Sequence, residues 1–240
     1  MFVLAETRKT MRAGDTAGAP MAKGEAQTLA PRSISQRIYA SVVKRGIDLF
    51  LCILLIPLLL PILLMLWLLV RRDGGPGLFI QPRVGKNGRV FQCFKFRSMV
   101  VNAEQALEDM CAKDPVVAAE WLKYQKLSND PRISKIGKVM RATSLDELPQ
   151  ILNVLLGHMS LVGPRPFLPS QKALYDEAGG QSYYRLRPGI TGAWQVFGRS
   201  ATTFKARVEF DEAYDRKLSF IADMGLILRT VSVVVCRTGK

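Results

Sequence analysis

The sequence predicts an α+β protein: a compact, helix-rich domain with a small β-hairpin, fused on its N-terminal side to an apolar helix carrying prolines. Three observations predict it. From Leu49 to Val70 the chain runs 22 residues without a charge, yet Pro57 and Pro61 sit inside that run. Two short segments rich in β-formers, 78–81 and 90–97, flank a Gly85-Lys86-Asn87-Gly88 turn. Beyond residue 100, apolar residues recur at helical spacing between clusters of turn-forming residues.

The apolar run comes first in the argument. At about 1.5 Å per residue it covers about 33 Å as a straight helix, enough for a hydrocarbon core near 30 Å. Seventeen of its residues are Leu, Ile, Val or Phe, and at about −0.3 to −0.6 kcal/mol each they favour insertion by roughly 5 to 10 kcal/mol. A proline removes one helical hydrogen bond and clashes with the preceding turn, so Pro57 and Pro61 predict a kink or break near mid-segment. Lys44 and Arg45 precede the run and Arg71 and Arg72 follow it, so neither flank is marked as the outer one. Two topologies stay open: a kinked helix that spans, and one that enters, bends and returns to the same face.

With 34 Lys and Arg against 20 Asp and Glu, the net charge of +14 calls for an acidic partner: anionic lipid, nucleic acid or a phosphorylated substrate. The apolar helix favours lipid and phosphate, and no basic stripe interleaved with aromatics or zinc-finger spacing points to nucleic acid. Cys52, Cys93, Cys111 and Cys236 are scattered and His158 is the single histidine. That excludes a zinc-finger or disulfide framework and fits a reducing, cytoplasmic setting. Residues 1–33 are read as a disordered cytoplasmic tail, 34–72 as the membrane-anchoring helix and 73–240 as one cytoplasmic domain. The short apolar start at Phe2 to Ala5 is followed too soon by charge to be a signal peptide.

In the second strand a period of two puts Val90, Phe94 and Phe96 on one face and Phe91, Cys93, Lys95 and Arg97 on the other. Lys95 and Arg97 then form either a solvated edge or a paired cationic site. A helical stretch over 103–127, broken near Asp114-Pro115, offers Leu107, Met110, Val116 and Leu122 as buried positions. Ser128 to Arg132 reads as a turn.

Ser144-Leu145-Asp146-Glu147 matches the S-x-x-E capping box at the start of a helix whose apolar face is Leu148, Ile151, Leu152 and Leu155, with Gly157 as its stop. Asp146 and Glu147 would then lie at the positive end of a helix dipole, where a carboxylate pKa falls and phosphates bind. First-turn acids are also common in helices with no chemistry. Gly163-Pro164-Arg165-Pro166 presents Arg165 from a stiff, extended segment, suited to phosphate recognition or simply to a rigid turn. The apolar stretch 219–235, interrupted by Asp223 and Arg229, reads as a helix for the membrane surface or as a core helix.

Taken together, these segments resemble the monotopic polyprenyl-phosphate phosphoglycosyl transferases, a bacterial sugar transferase family. The markers are KRGIDL at 44–49, QPRVG at 81–85, FKFRSM at 94–99, NDPRIS at 129–134, SLDELPQILN at 144–153, MSLVGPRP at 159–166, RPGITG at 187–192 and the Asp211/Tyr214 pair. They cover about residues 44–229 in the family's order. The resemblance implies transfer of a sugar 1-phosphate from a UDP-sugar to undecaprenyl phosphate with release of UMP, the first membrane step of exopolysaccharide assembly. It implies Mg²⁺ as cofactor and Asp146 as the nucleophile that forms an aspartyl-phosphosugar intermediate. Glu147 and Asp211 are then candidates, with Asp146, to hold the metal, and Lys95, Arg97, Arg141 and Arg165 to bind substrate phosphates. It also implies a re-entrant helix hinged at Pro57, with Lys44 and Arg45 at the headgroups and the catalytic domain, with its interfacial C-terminal helix, on the cytoplasmic face of the inner membrane. Anionic lipids and downstream glycosyltransferases are the implied partners. One departure stands out: His158 occupies a position where family members commonly carry an acid. A contrasting expectation, for which only His158 speaks, is a catalytically silent membrane scaffold for polysaccharide assembly.

Overall fold

The computed structural model describes residues 31–124, 127–198 and 204–235. The expected tail, apart from residues 31–33, and Cys236 lie outside the described residues.

A single helical stretch of 40 residues, α1 (Ile34–Asp73), opens the fold. A capping box forms here, Ser33 capping the Gln36 amide while the Gln36 side chain accepts from the Ser33 amide. A π-helical segment at Tyr39–Val43 follows, then α-helix over Lys44–Val70, then a 3-10 turn at Arg71–Asp73 that ends on Gly74 in the left-handed region. Helical backbone continues through Pro57 and Pro61, so the prolines do not break the helix. The cost of about 3 kcal/mol for an interior proline is offset by packing on both sides of the pair. Lys44, Asp48, Cys52, Leu66 and Val70 are all buried, a stripe at helical spacing that faces the domain over nearly the whole length. The opposite face, including Phe50, Leu54, Leu58 and Leu68, is exposed and apolar.

The lysine and arginine before the apolar run are not free for headgroups, as the resemblance implied. Lys44 pairs with Asp223 at 2.5 Å, and both are buried. Arg45 donates to the carbonyls of Val154 and Leu155 at 2.6 and 3.1 Å, capping a short helix of the domain. Arg71 and Arg72, after the run, are exposed.

The expected hairpin is present. Strands β1 (Leu78–Val84) and β2 (Val90–Phe96) pair antiparallel from Leu78↔Phe96 to Val84↔Val90. Its turn places Asn87 and Gly88 at φ 58° and 74°, the left-handed conformation that this dipeptide adopts cheaply. Pro82 sits within β1 opposite Gln92, tolerable because a two-stranded sheet has only edges. Phe91 and Cys93 pack with Cys52, Ile151 and Val154, while Phe96 packs with Leu66, Val70 and Met140, so the hairpin binds both ends of the apolar run.

Helices α2 (Ala103–Lys113) and α3 (Pro115–Tyr124) break where Asp114-Pro115 predicts. Their expected core positions are not buried: Leu107 and Met110 are half-exposed and Val116 is exposed, because this pair lies on the periphery; the Leu122 side chain is outside the described ones. Then follow α4 (Lys135–Thr143), α5 (Gln150–Leu155), β3 (Ser160–Val162), α6 (Lys172–Glu177), α7 (Ser182–Arg185), β4 (Gly189–Thr191), α8 (Arg207–Arg216) and α9 (Phe220–Val235). The parallel pair β3–β4 has no counterpart in the sequence reading. Helix α9 packs on the domain along one face, as a core helix does, and leaves an apolar face exposed. Asp223 and Leu226 are buried against the domain while Phe220, Ile221, Leu228 and Val231 are exposed.

Candidate active site

The Asp-Glu pair lies on a 3-10 turn, Leu145–Glu147, wedged between α4 and α5. Ser144 is left-handed at φ 58° and makes no side-chain cap, so the expected capping box is absent here. The reason is competition. Glu147 does not reach back to Ser144 because two cations hold it: Lys95 Nζ at 2.7 Å and Arg165 Nη2 at 2.9 Å from Oε1. The α-helix proper starts at Gln150, after Pro149, and Gly157 in the left-handed region follows its end as expected.

Strand geometry delivers Lys95 from β2. The backbone of Gly163-Pro164-Arg165-Pro166 delivers Arg165, and that backbone is itself clamped. Gly163 N donates to Thr191 O at 2.8 Å and Gly189 N to Pro164 O at 2.8 Å. A Cβ on Gly163 would lie 2.3 Å from the Arg187 carbonyl, so these two loops approach too closely for any side chain at that position. Arg207 adds a further hold: its Nη2 donates to the Arg165 carbonyl while its guanidinium lies 4.9 Å from the rings of both Trp194 and Phe204.

The two carboxylates experience different surroundings. Burial alone would raise the Glu147 pKa, but Arg165 and Lys95 overcome it and hold the group well below the usual carboxylate range. Asp146 is half-buried and makes no hydrogen bond or ion pair with any described residue. Burial, and then the charge of Glu147, push its pKa up, against the pull of Lys95, Arg141 and Arg165. The expected lowering at a helix N-terminus does not occur, because the residue precedes the helix by a full turn.

The structure thus brings Asp146, Glu147, Lys95, Arg165 and Arg141 into one electrostatic cluster, with Arg141 tethered through Nε to Ser98 Oγ at 2.8 Å. It leaves Arg97 out. Although two residues from Lys95, Arg97 is spent on Asp73, at 2.5 Å, and on the carbonyls of Val70, Pro76 and Met99, tying the end of α1 to the hairpin. Asp211 is also apart. It is buried among aromatic rings, accepts from Tyr175 Oη at 2.8 Å, and is pushed up to about 7 by that burial. Among the described residues no three or more His, Cys, Asp or Glu side chains gather as a metal cage, so Asp146, Glu147 and Asp211 do not form one. His158 is exposed and rests against the Phe91 ring.

Sequence reading missed three groups, two that line the pocket and one that braces Arg165. Arg83 and Gln150 line the small pocket around Glu147 with Lys95, Arg165 and Pro166. Arg83 donates to Gln81 and Pro166 O, and its buried Nε has no partner among the described residues. Arg207 is the third. The isolated arginine in an alternating strand was the available signal for Arg83; Arg207 had none beyond its charge.

Comparison with known proteins bears directly on this cluster. The family described as "Bacterial sugar transferase" matches residues 39–237, nearly the whole described chain. The chain belongs to this bacterial sugar transferase family. An undecaprenyl-phosphate galactose phosphotransferase of Salmonella typhimurium is 43% identical over 198 residues, covering 82% of this chain and 41% of the relative. A UDP-galactose-lipid carrier transferase of Erwinia amylovora is 48% identical over 198 residues, with 82% and 41% covered. The exopolysaccharide production protein ExoY of Sinorhizobium fredii is 39% identical over 205 residues, with 85% and 90% covered. The chain therefore spans less than half the length of the first two sugar transferase relatives and nearly all of the third.

Proposed function

We propose that this protein transfers a sugar 1-phosphate from a UDP-sugar to undecaprenyl phosphate, with galactose or glucose as the sugar, initiating exopolysaccharide assembly. The observation that carries this reading is the division between adjacent carboxylates: Glu147 locked by Lys95 and Arg165, Asp146 unengaged beside the same cations. An Asp146 oxygen attacks the phosphorus that bears the sugar, and the bond from that phosphorus to the UMP oxygen breaks. The undecaprenyl phosphate oxygen then attacks the same phosphorus, and the Asp146 carboxylate leaves. Arg165, Lys95 and Arg141 neutralise charge on the diphosphate and fix it in line. The lipid-linked product is then the acceptor for downstream glycosyltransferases.

Magnesium fits this pair as a partial site. Mg²⁺ is commonly held by one or two carboxylates together with substrate phosphates; Asp146 would be its main protein ligand, with Glu147 Oε2, which accepts only a long 3.5 Å contact from Arg165 Nη1, as a second. When bound it would add further positive charge at the diphosphate.

The membrane reading is a cytoplasmic catalytic domain on the inner membrane, with α1 re-entrant and bent at Pro57. What supports it is that residues on both sides of the prolines, Cys52 and Leu66, pack on the same domain, which a helix leaving for the far face could not do. The scaffold alternative has only His158 in its favour, an exposed ring resting against Phe91.

The test is to trap the intermediate. Purified protein with Mg²⁺ and radiolabelled UDP-galactose or UDP-glucose should release UMP and retain label on Asp146, and Asp146→Asn should do neither. Undiminished turnover by Asp146→Asn would sink the mechanism.

A further inference from the structure

A second cavity lies against the first turns of α1, away from Asp146. Its lining includes Lys44 and Asp48 of α1, Lys86 of the hairpin turn, Ser160 of β3, and Arg185 and Arg187. Four cations face one carboxylate. That carboxylate, Asp48, is buried and already accepts from the Leu161 amide at 3.0 Å. Lys44 is matched by Asp223, and Arg185 shares Asp215 with Arg32. The Lys86 side chain has no hydrogen-bonding or ion-pair partner among the described residues, and Arg187 uses Nε on the Gly157 carbonyl. The Lys86 side chain is exposed at the turn, and partial loss of water around it, then repulsion from Arg187 and Arg32, push its pKa down. Such an arrangement is incomplete without an anion.

Its depth says which anion. Lys44 precedes the apolar run at Leu49 by five residues, about 7.5 Å along the helix axis. The polar layer on each side of a 30 Å hydrocarbon core is about 5 to 7 Å thick. With the run placed in hydrocarbon, the α1 wall of the cavity crosses the headgroup layer, from Asp48 beside the hydrocarbon to Lys44 at the layer's outer edge.

We infer that the cavity between α1, the Lys86 turn and the Arg185–Arg187 segment binds a phosphate ester carried by a membrane lipid, an anionic headgroup held by Lys86 and Arg187. This rests on the membrane placement of α1 proposed above. It assigns the lipid contact to the loops behind α1, in place of the Lys44–Arg45 pair that the fold has used internally.

The test uses the full chain in neutral detergent, with thermal unfolding followed as phosphatidylglycerol, phosphatidylcholine or inorganic phosphate is added. Phosphatidylglycerol should raise the melting temperature and phosphatidylcholine should not. Lys86→Gln, at an exposed turn, should weaken half-maximal protection about fivefold to tenfold, the loss expected for one charge-assisted contact; Lys86→Glu should abolish it. Native mass spectrometry should show a retained anionic lipid on the wild type and less on both variants. Equal protection of wild type and Lys86→Glu, or none by phosphatidylglycerol, would overturn the site. Protection by inorganic phosphate as large as by the lipid would overturn the lipid assignment in favour of a soluble anion. Failure of the membrane placement shows separately, as opposite accessibility of single cysteines placed before residue 49 and after residue 70.

Discussion

Lys95 Nζ lies 2.7 Å from Glu147 Oε1, and this contact, joining strand β2 to the 3-10 turn, separates the duties of two neighbouring acids. Lys95→Met should cost roughly 2 kcal/mol of stability, the loss of one hydrogen bond to a charged group while Arg165 still pairs with Glu147. It also removes a charge that lowers the Asp146 pKa. Since attack needs the ionised carboxylate, the acidic limb of the rate profile for adduct formation should move to higher pH. Glu147→Gln, which removes the like charge, should move it the other way. Single-turnover measurements across pH test both signs.

Arg97→Gln should behave differently from Lys95→Met despite their shared strand. Arg97 holds Asp73 and the Val70 carbonyl at the end of α1, so the expected loss is stability, roughly 2 to 4 kcal/mol. The folded fraction should keep its KM for the UDP-sugar. A large KM increase in folded protein would return Arg97 to the phosphate-binding set.

Arg207 acts through Arg165. Arg207→Met should leave the pocket chemistry intact but loosen the Arg165 carbonyl, lowering adduct formation ~10- to 100-fold, as small misplacements of a positioning group do. Arg207→Lys should restore the charge without the fork and recover only part of the rate. Rates in the two variants, each normalised to folded protein, decide this.

Asp211 makes stability pH-dependent. Its pKa is raised to about 7 by burial, above the unfolded value near 4. The folded state therefore binds the extra proton, and the stabilisation is present in full below about pH 4 and lost as pH rises through about 7. Three units correspond to on the order of 4 kcal/mol. Asp211→Asn should flatten that part of the stability profile, as read from denaturant unfolding between pH 4 and 8.

Much of this fold is legible in the residues. The hairpin follows from alternation and the Asn87-Gly88 turn, the helix break from Pro115, and the stop after α5 from Gly157. What is not legible depends on partners far apart in sequence. Ser144 and Glu147 carry the local signature of a capping box, but Lys95 and Arg165 outbid the backbone for the glutamate. Lys44 and Arg45 look like surface charge until Asp223 and the α5 carbonyls arrive from 179 and about 110 residues away. Strand periodicity groups Lys95 with Arg97, and it cannot foresee that Asp73 claims one and Glu147 the other. Within the site, Asp146, Glu147, Lys95, Arg141 and Arg165 were readable as candidates; Arg83, Gln150 and Arg207 become visible only when the loops close on each other.

The stripe of α1 from Lys44 to Val70 has a practical consequence for handling the protein. Cutting away the apolar helix would not release a water-soluble catalytic fragment, because Phe91, Cys93, Phe96 and Met140 lose their cover when Cys52, Leu66 and Val70 go. The helix is one wall of the folded body, and its other side is exposed and apolar. Evolution of this chain toward a soluble form would therefore have to rebuild its interior as well as its exterior.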